Sequence, residues 1–140
     1  MRAIHKIIIH CTATREGDDI SVDTIRRWHL NRGWSDIGYH YVIGIKNGEI
    51  HAGRPIELMG AHCKGQNKYS IGIAYVGGVE ADGKTPKDTR TKAQKDSIIR
   101  LVKKLKGCYP DVTIHGHNEF SNGLKACPSY NVENEKDLFG

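Results

Sequence analysis

The sequence predicts one α/β domain in which a central mixed β-sheet is flanked by helices. β-branched side chains dominate the apolar residues, with 16 isoleucines and seven valines against six leucines, and such side chains pack well on a pleated sheet. Strand-like and helix-like segments alternate along 140 residues, a length typical of one domain. A chain of this length buries a core without help from a metal. Any metal that it binds is therefore expected to serve chemistry rather than folding.

The predicted strands are short apolar runs. Residues 4–10 centre on three consecutive isoleucines, which indicates a strand that is buried on both faces and presents His10 at the edge of the sheet. The Asn47-Gly48 pair suits a two-residue turn with positive φ, so the segments around it are predicted to form an antiparallel hairpin. Strands are also predicted over residues 39–46, 49–52, 70–76 and 112–115.

Two segments have helical periodicity. A serine can cap a first helix over residues 22–32, whose apolar stripe includes Trp28 as a predicted core residue. Thr91 and Gln94 have capping-box spacing ahead of a second, amphipathic helix, which Gly107 is predicted to end. The resulting order of elements, β-α-β-β-β-α-β, favours helices packed on a mixed sheet.

The formal net charge of +5 favours an anionic partner, such as nucleic acid, an acidic surface or an acidic polymer. Many basic residues cluster on one predicted loop and the second helix: Lys84, Lys87, Arg90, Lys92, Lys95, Arg100, Lys103, Lys104 and Lys106. The cluster has neither an arginine-rich arm nor the interleaved aromatic residues that stack on bases. We therefore expect no nucleic-acid partner.

No apolar run in the sequence is long enough to span a membrane, and the N-terminal run is too short for a signal-peptide core of roughly 7–15 apolar residues. We expect a protein that is made in the cytoplasm, does not insert into membranes and is monomeric. For this protein to act outside the cell would then require lysis, a separate export route or a leader that lies outside this sequence.

Histidine and cysteine supply the candidate metal ligands. The four cysteines are scattered and form no Cys-x-x-Cys pair, which excludes a zinc knuckle and a thioredoxin-like motif. His10 ends one predicted strand, His117 lies just past another, and Cys127 follows in a loop. Two imidazoles and a thiolate suit zinc, and three protein ligands leave the open fourth position of a catalytic site. On spacing alone, His115 could replace His117.

Seven short segments, in order along the chain, carry a family resemblance. They are His10–Thr14, Gly33–Tyr41, Gly53–Arg54, Gly60–His62, Ser70–Ile73, Gly116–His117 and Lys125–Pro128. Together they resemble the zinc-dependent N-acetylmuramoyl-L-alanine amidases of type 2, a family that includes phage lysozyme-type amidases and the peptidoglycan recognition proteins. The resemblance runs from about residue 4 to residue 130, which is nearly the whole chain.

The resemblance implies one zinc ion per chain, bound by His10, His117 and Cys127. It selects His117 over His115, because the family's ligand is the histidine that directly follows glycine. It also implies the reaction, which is hydrolysis of the amide that joins the lactyl group of N-acetylmuramic acid to the L-alanine of the stem peptide.

Further residues receive roles through the same resemblance. Tyr39 matches the family's catalytic tyrosine, and Lys125 matches its catalytic lysine. His62 and Asn67 match positions that line the substrate groove. Relatives with a carboxylate base carry glutamate where this chain has Ala74, which favours the branch of the family that uses the tyrosine.

The sequence leaves the roles of two residues near the expected ligands undecided. Glu119 could orient a metal ligand or could be a solvated loop carboxylate. Cys11 is predicted to be a core residue, because neighbouring residues in a strand point to opposite faces and His10 points to the metal.

We therefore expect residues 1–140 to be an amidase catalytic domain that acts on peptidoglycan or muropeptides, as a phage endolysin does in cell lysis. The positive charge would favour approach to a carboxylate-rich wall. One alternative is a binding module, because some family members recognise peptidoglycan without cutting it; those members typically lack the cysteine ligand. Another is a recycling amidase that acts on soluble wall fragments.

Overall fold

A computed structural model describes residues 2–140. The strands are β1 (Lys6–Cys11), β2 (Thr14–Arg15), β3 (Tyr41–Ile43), β4 (Ile50–Ala52), β5 (Ser70–Tyr75), β6 (Gly78–Val79) and β7 (Thr113–Gly116). The helices are α1 (Val22–Asn31) and α2 (Lys92–Cys108), together with 3-10 helices over Asn67–Tyr69, His117–Phe120 and Val132–Phe139. The predicted α/β class and both predicted helices are confirmed.

The main sheet has five strands in the order β4-β3-β5-β1-β7. β1 lies between β5 and β7 and is parallel to both, and β3 is parallel to β5. Only the hairpin strand β4 pairs antiparallel, with β3. The sheet is therefore mixed, as predicted. Because β1 and β7 are parallel neighbours, their carboxyl ends meet at one edge of the sheet.

The two faces of the sheet bury different residues. On β5, Ile71, Ile73 and Tyr75 join the larger core, which also contains the apolar stripe of α2. The smaller residues between them point to the opposite face, because side chains alternate along a strand. On that face a smaller core joins Ile25 of α1 to Val42 of β3. The sheet thus carries a helix on each side.

The N-terminus of α2 is held by the predicted capping box. The Thr91 side chain accepts a hydrogen bond from the Gln94 backbone N–H, and the Gln94 side chain accepts one from the Thr91 N–H. The Gln94 amide also donates to the carbonyl oxygens of Ile43 (3.2 Å) and Val76 (3.0 Å), where β3 and β5 end. One side chain therefore caps the helix and attaches it to the sheet. The helix continues one residue past Gly107.

Several sequence expectations were incomplete. Trp28 is 42% exposed instead of buried in the core, whereas its neighbour His29 is buried. The loop over residues 78–90 contains β6, which pairs with β2. The hairpin strands are three residues each, shorter than predicted.

Arg90 differs from the exposed basic residues with which the sequence grouped it. Its side chain is only 2% exposed and forms ion pairs with Asp88 (2.9 Å) and Glu135 (2.7 Å). Its guanidinium also lies 3.5 Å from the ring centroid of Tyr130. These contacts hold the C-terminal 3-10 helix against the rest of the domain. The charge of Arg90 therefore stabilises the fold. Among residues 2–140, no helix has the length and apolar character needed to cross a membrane.

Candidate metal centre

The fold brings His10, His117 and Cys127 together at the carboxyl edge of β1 and β7. His10 lies near the end of β1, and His117 directly follows β7 as the first residue of a 3-10 helix. Cys127 arrives from the loop that follows, and its sulfur accepts a hydrogen bond from the Cys11 backbone N–H (3.2 Å). The parallel pairing of the two strands thus explains why residues more than 100 positions apart meet here.

The candidate ligand atoms of these three residues all lie within 4.8 Å of one another. The His10 Nδ1 atom is 3.8 Å from the Cys127 sulfur, and the rings of His10 and His117 have centroids 4.6 Å apart. Ligand atoms around a tetrahedral zinc ion stand roughly 3.5 Å apart. Two imidazole nitrogens and one thiol sulfur at this spacing fit zinc in both donor chemistry and separation.

The protonation of the site also suits a metal. Burial, followed by the neighbouring His62 and His117, lowers the pKa of His10 well below its usual value. Burial and then the charge of Lys125 lower the pKa of His117. Both rings are therefore neutral near pH 7, which is the form that binds metals. A hydrogen bond with Cys11, together with burial, raises the pKa of the Cys127 thiol, so metal binding here releases a proton.

Tyr39 lies beside this cluster. Its ring centroid is 5.4 Å from that of His10. Burial, followed by negative charge at Cys127 and Cys11, raises the pKa of the Tyr39 phenol. The hydroxyl is thus a hydrogen-bond donor rather than a phenolate at neutral pH.

The loop that carries Tyr39 is anchored by Arg54, which belongs to one of the seven resemblance segments. The guanidinium donates to the carbonyl oxygens of Ile37 (2.9 Å), Met59 (2.9 Å) and Asp36 (3.1 Å). The Arg54 backbone N–H also donates to the Tyr39 carbonyl (2.8 Å). The sequence showed that Arg54 fits the family pattern but not that it holds the loop.

Lys125 is exposed on the loop that leads to Cys127. Its backbone N–H donates to the Ser121 hydroxyl (3.2 Å). Its ammonium is close enough for its charge to lower the pKa of both His117 and Cys63. The lysine thus lies near the candidate metal centre.

His62 and Asn67 make their hydrogen bonds within the protein. His62 is 8% exposed, and its Nδ1 atom is 2.8 Å from His10 Nε2. Its Nε2 atom is 3.2 Å from the Ser70 hydroxyl. The Asn67 side-chain oxygen accepts hydrogen bonds from the backbone N–H groups of His62 and Cys63, each at 2.9 Å. The predicted groove role of these two residues stays a prediction. The sequence did not reveal the contact between His62 and His10.

The other residues that the sequence singled out lie near the candidate ligands but outside that set of three. Glu119 accepts a hydrogen bond from the Gly116 backbone N–H (2.7 Å) and contacts His115 (2.9 Å), so it stiffens the turn before His117. Cys11 is 4% exposed and belongs to the larger core. Ala74 is the direct neighbour of His10 across the β1–β5 pair, which is where a glutamate would stand beside the site.

Comparisons with known proteins agree with this geometry. Residues 1–130 match the family described as N-acetylmuramoyl-L-alanine amidase. The endolysin of Enterobacteria phage K11 is 37% identical over 128 residues, which cover 91% of this chain and 82% of the phage protein. The endolysin of Escherichia phage T7 is 38% identical over 127 residues, with the same two coverages.

A solved structure extends the match to the fold. The N-acetylmuramoyl-L-alanine amidase LysC from Clostridium intestinale URNW superposes with a TM-score of 0.79 at 29% sequence identity. The superposition covers 98% of this chain and 86% of the clostridial one. Family match, relatives and architecture agree with one another and with the resemblance seen in the sequence. The chain belongs to the N-acetylmuramoyl-L-alanine amidase family.

Proposed function

We propose that residues 1–140 form an amidase domain that hydrolyses the bond between N-acetylmuramic acid and L-alanine in peptidoglycan, with zinc as its cofactor. The observation that carries this proposal is the cluster of His10, His117 and Cys127 in a chain of this family. The protein would act on the cell wall after release or export, as the related phage endolysins suggest. We propose that it acts as a monomer.

His10, His117 and Cys127 would hold the metal, with Tyr39 beside His10. When bound, zinc supplies a Lewis acid that lowers the pKa of water toward about 7 and polarises a carbonyl. The two neutral imidazoles contribute no charge, so the thiolate is the one anionic ligand from the protein. Such a donor set leaves the site cationic enough to attract a carbonyl oxygen.

Tyr39 and Lys125 supply the other polar groups. The protonated hydroxyl of Tyr39 can orient a water molecule or deliver a proton to the departing amine of L-alanine, which cannot leave as an anion. The ammonium of Lys125 offers positive charge where negative charge develops on the carbonyl oxygen. With Ala74 beside His10, that position provides no carboxylate base, so the tyrosine is the group best placed to move the proton.

The binding-module alternative is less favoured because the third ligand, Cys127, is present and lies 3.8 Å from His10 Nδ1. A protein that only binds peptidoglycan does not need a metal site of this composition. The choice between intact wall and soluble fragments is tested by offering the enzyme both substrates.

The test combines metal analysis with product analysis on purified peptidoglycan and on soluble muropeptides. We expect about one zinc ion per chain and release of peptides with a free L-alanine amino group, without new reducing sugar ends. A chelator should abolish the release, and added zinc should restore it. Cys127→Ala should lose both zinc and activity, whereas the exposed cysteine variant Cys108→Ala should keep both.

Activity that survives complete removal of zinc would contradict the metal mechanism. New reducing ends without freed peptides would indicate a glycosidase and overturn the proposed bond specificity. Cleavage of muropeptides alone would favour the recycling amidase over the lytic enzyme.

A further inference from the structure

We propose that His62 is a positioning residue, which holds the imidazole of His10 in the tautomer and orientation that the metal requires. We further propose that Ser70 and Gly72 fix the position of the His62 ring, Ser70 through a hydrogen bond and Gly72 by leaving the space that the ring occupies. This inference rests on the proposed function, because it concerns the same metal centre. It gives a physical role to the Ser70–Ile73 segment, which the sequence identified as part of the family pattern but left without a function.

A directional chain of hydrogen bonds runs from His10 through His62 to Ser70. His10 turns its Nδ1 atom toward Cys127, 3.8 Å from the sulfur, so this is the nitrogen that would offer a lone pair to a metal held by both residues. The Nε2 atom of a neutral His10 then carries the hydrogen, and it lies 2.8 Å from His62 Nδ1. His62 must accept that hydrogen bond, which leaves its own hydrogen on Nε2, 3.2 Å from the Ser70 hydroxyl.

Each proton position in this chain therefore follows from the one before it. Both ring nitrogens of His62 are committed within the protein, and Ser70 is fully buried. A histidine placed mainly to contact substrate would keep a ring nitrogen free for it.

Steric contacts also fix the His62 ring, independently of its hydrogen bonds. A Cβ atom added at Gly72 would lie 2.6 Å from both Cγ and Cδ2 of His62, and one added at Gly60 would lie 2.7 Å from Cδ2. Real Cβ atoms do not approach so closely. Neither glycine has a positive φ, so the space, rather than the backbone conformation, requires glycine. The ring is thus held between two glycines on the face of the sheet that also presents His10.

A group that orients a metal-bound histidine typically changes metal affinity by about 10–100-fold when it is removed. We therefore expect His62→Ala to weaken zinc binding by that factor. His62→Asn should recover most of the affinity, because its amide oxygen can accept the hydrogen bond from His10 Nε2. Gly72→Ala should also weaken binding, although it removes no polar atom. His51→Ala, which replaces an exposed histidine outside the site, should match the wild type.

The experiment measures zinc affinity by competition with a chromogenic chelator, and circular dichroism checks that each metal-free variant is folded. A second readout is NMR of protein labelled with 15N-histidine. The zinc-bound wild type should show His10 protonated at Nε2, with a slowly exchanging low-field proton. In His62→Ala that proton should exchange rapidly with water, and in His62→Asn it should return.

Unchanged zinc affinity and an unchanged His10 proton in folded His62→Ala would overturn the positioning role. So would equal losses in His62→Ala and His62→Asn, since then the hydrogen-bond acceptor would not matter. These outcomes leave the proposed function intact, because the readouts use no substrate. A wild-type protein that binds no zinc would contradict both proposals.

Discussion

Two histidines that are two positions apart have different surroundings at the candidate metal centre. His117 follows β7 and its ring packs 4.6 Å from that of His10. His115 lies within β7, with its Nδ1 atom 2.9 Å from Glu119 and its Nε2 atom 2.7 Å from the Thr113 hydroxyl. Both nitrogens of His115 thus already have partners, Thr113 in the same strand and Glu119 in the turn that follows, which supports the choice of His117 as ligand.

Replacing each of these two histidines by alanine, in separate variants, tests the proposed ligand set. We expect His117→Ala to lose zinc during dialysis, because a missing ligand costs more affinity than the roughly 10–100-fold of an orienting group. His115→Ala should retain about one equivalent, measured by atomic absorption on the folded proteins. Zinc loss in His115→Ala with retention in His117→Ala would reverse the assignment.

One buried side chain serves both the N-terminal cap of α2 and the attachment of this helix to the sheet. Gln94 is fully buried and serves both the capping box and the carbonyl oxygens at the ends of β3 and β5. The Thr91 side chain, by contrast, accepts its hydrogen bond from the Gln94 backbone N–H within the capping box. The two residues thus separate the contribution of the cap from that of the attachment between helix and sheet.

Thr91→Ala is expected to lower the free energy of unfolding by about 1 kcal/mol, which is typical for a lost helix cap. Gln94→Ala should lower it by about 3 kcal/mol, because it also removes hydrogen bonds from buried backbone groups. Urea denaturation of the two variants, compared at equal zinc loading, measures the difference. Equal losses would mean that the attachment to the sheet contributes no stability.

At the scale of the whole molecule, the free positive charge and the candidate metal centre occupy different places. Lys103 and Lys104 are exposed on α2, which packs on the larger core. His10 points to the opposite face, at the carboxyl edge of the sheet. Arg90 is buried in ion pairs, and Lys92 pairs with Asp96. We therefore expect the exposed face of α2 to be a main source of general attraction to an anionic wall polymer.

Reversing both lysines, as Lys103→Glu with Lys104→Glu, lowers the formal net charge from +5 to +1. We expect several-fold weaker binding to purified peptidoglycan at low salt and a smaller difference at roughly 0.5 M salt, where charges are screened within a few ångströms. Cleavage of a small soluble muropeptide should not change. Wall binding equal to that of the wild type would exclude α2 as the source of attraction.

Local signals predicted most of the fold. The isoleucine run of β1, the Asn47-Gly48 turn and the capping box of α2 each act within a few residues, so they were visible without a structure. Trp28 was misassigned because helical spacing shows which positions share a face but not how far a neighbouring segment covers them. The pairing of β2 with β6 was also missed, because two-residue strands have no periodicity.

The α/β class, the family and the candidate residues can be read from the chain alone, because strand and helix signals are local and the family segments keep their order along it. Which of these residues touch one another depends on the three-dimensional fold. The contact between His10 and His62 spans 52 positions, and that between His10 and Cys127 spans 117. Such contacts depend on strand order, on the meeting of parallel carboxyl ends and on the space that Gly72 leaves beside a ring, and no local pattern encodes these three features.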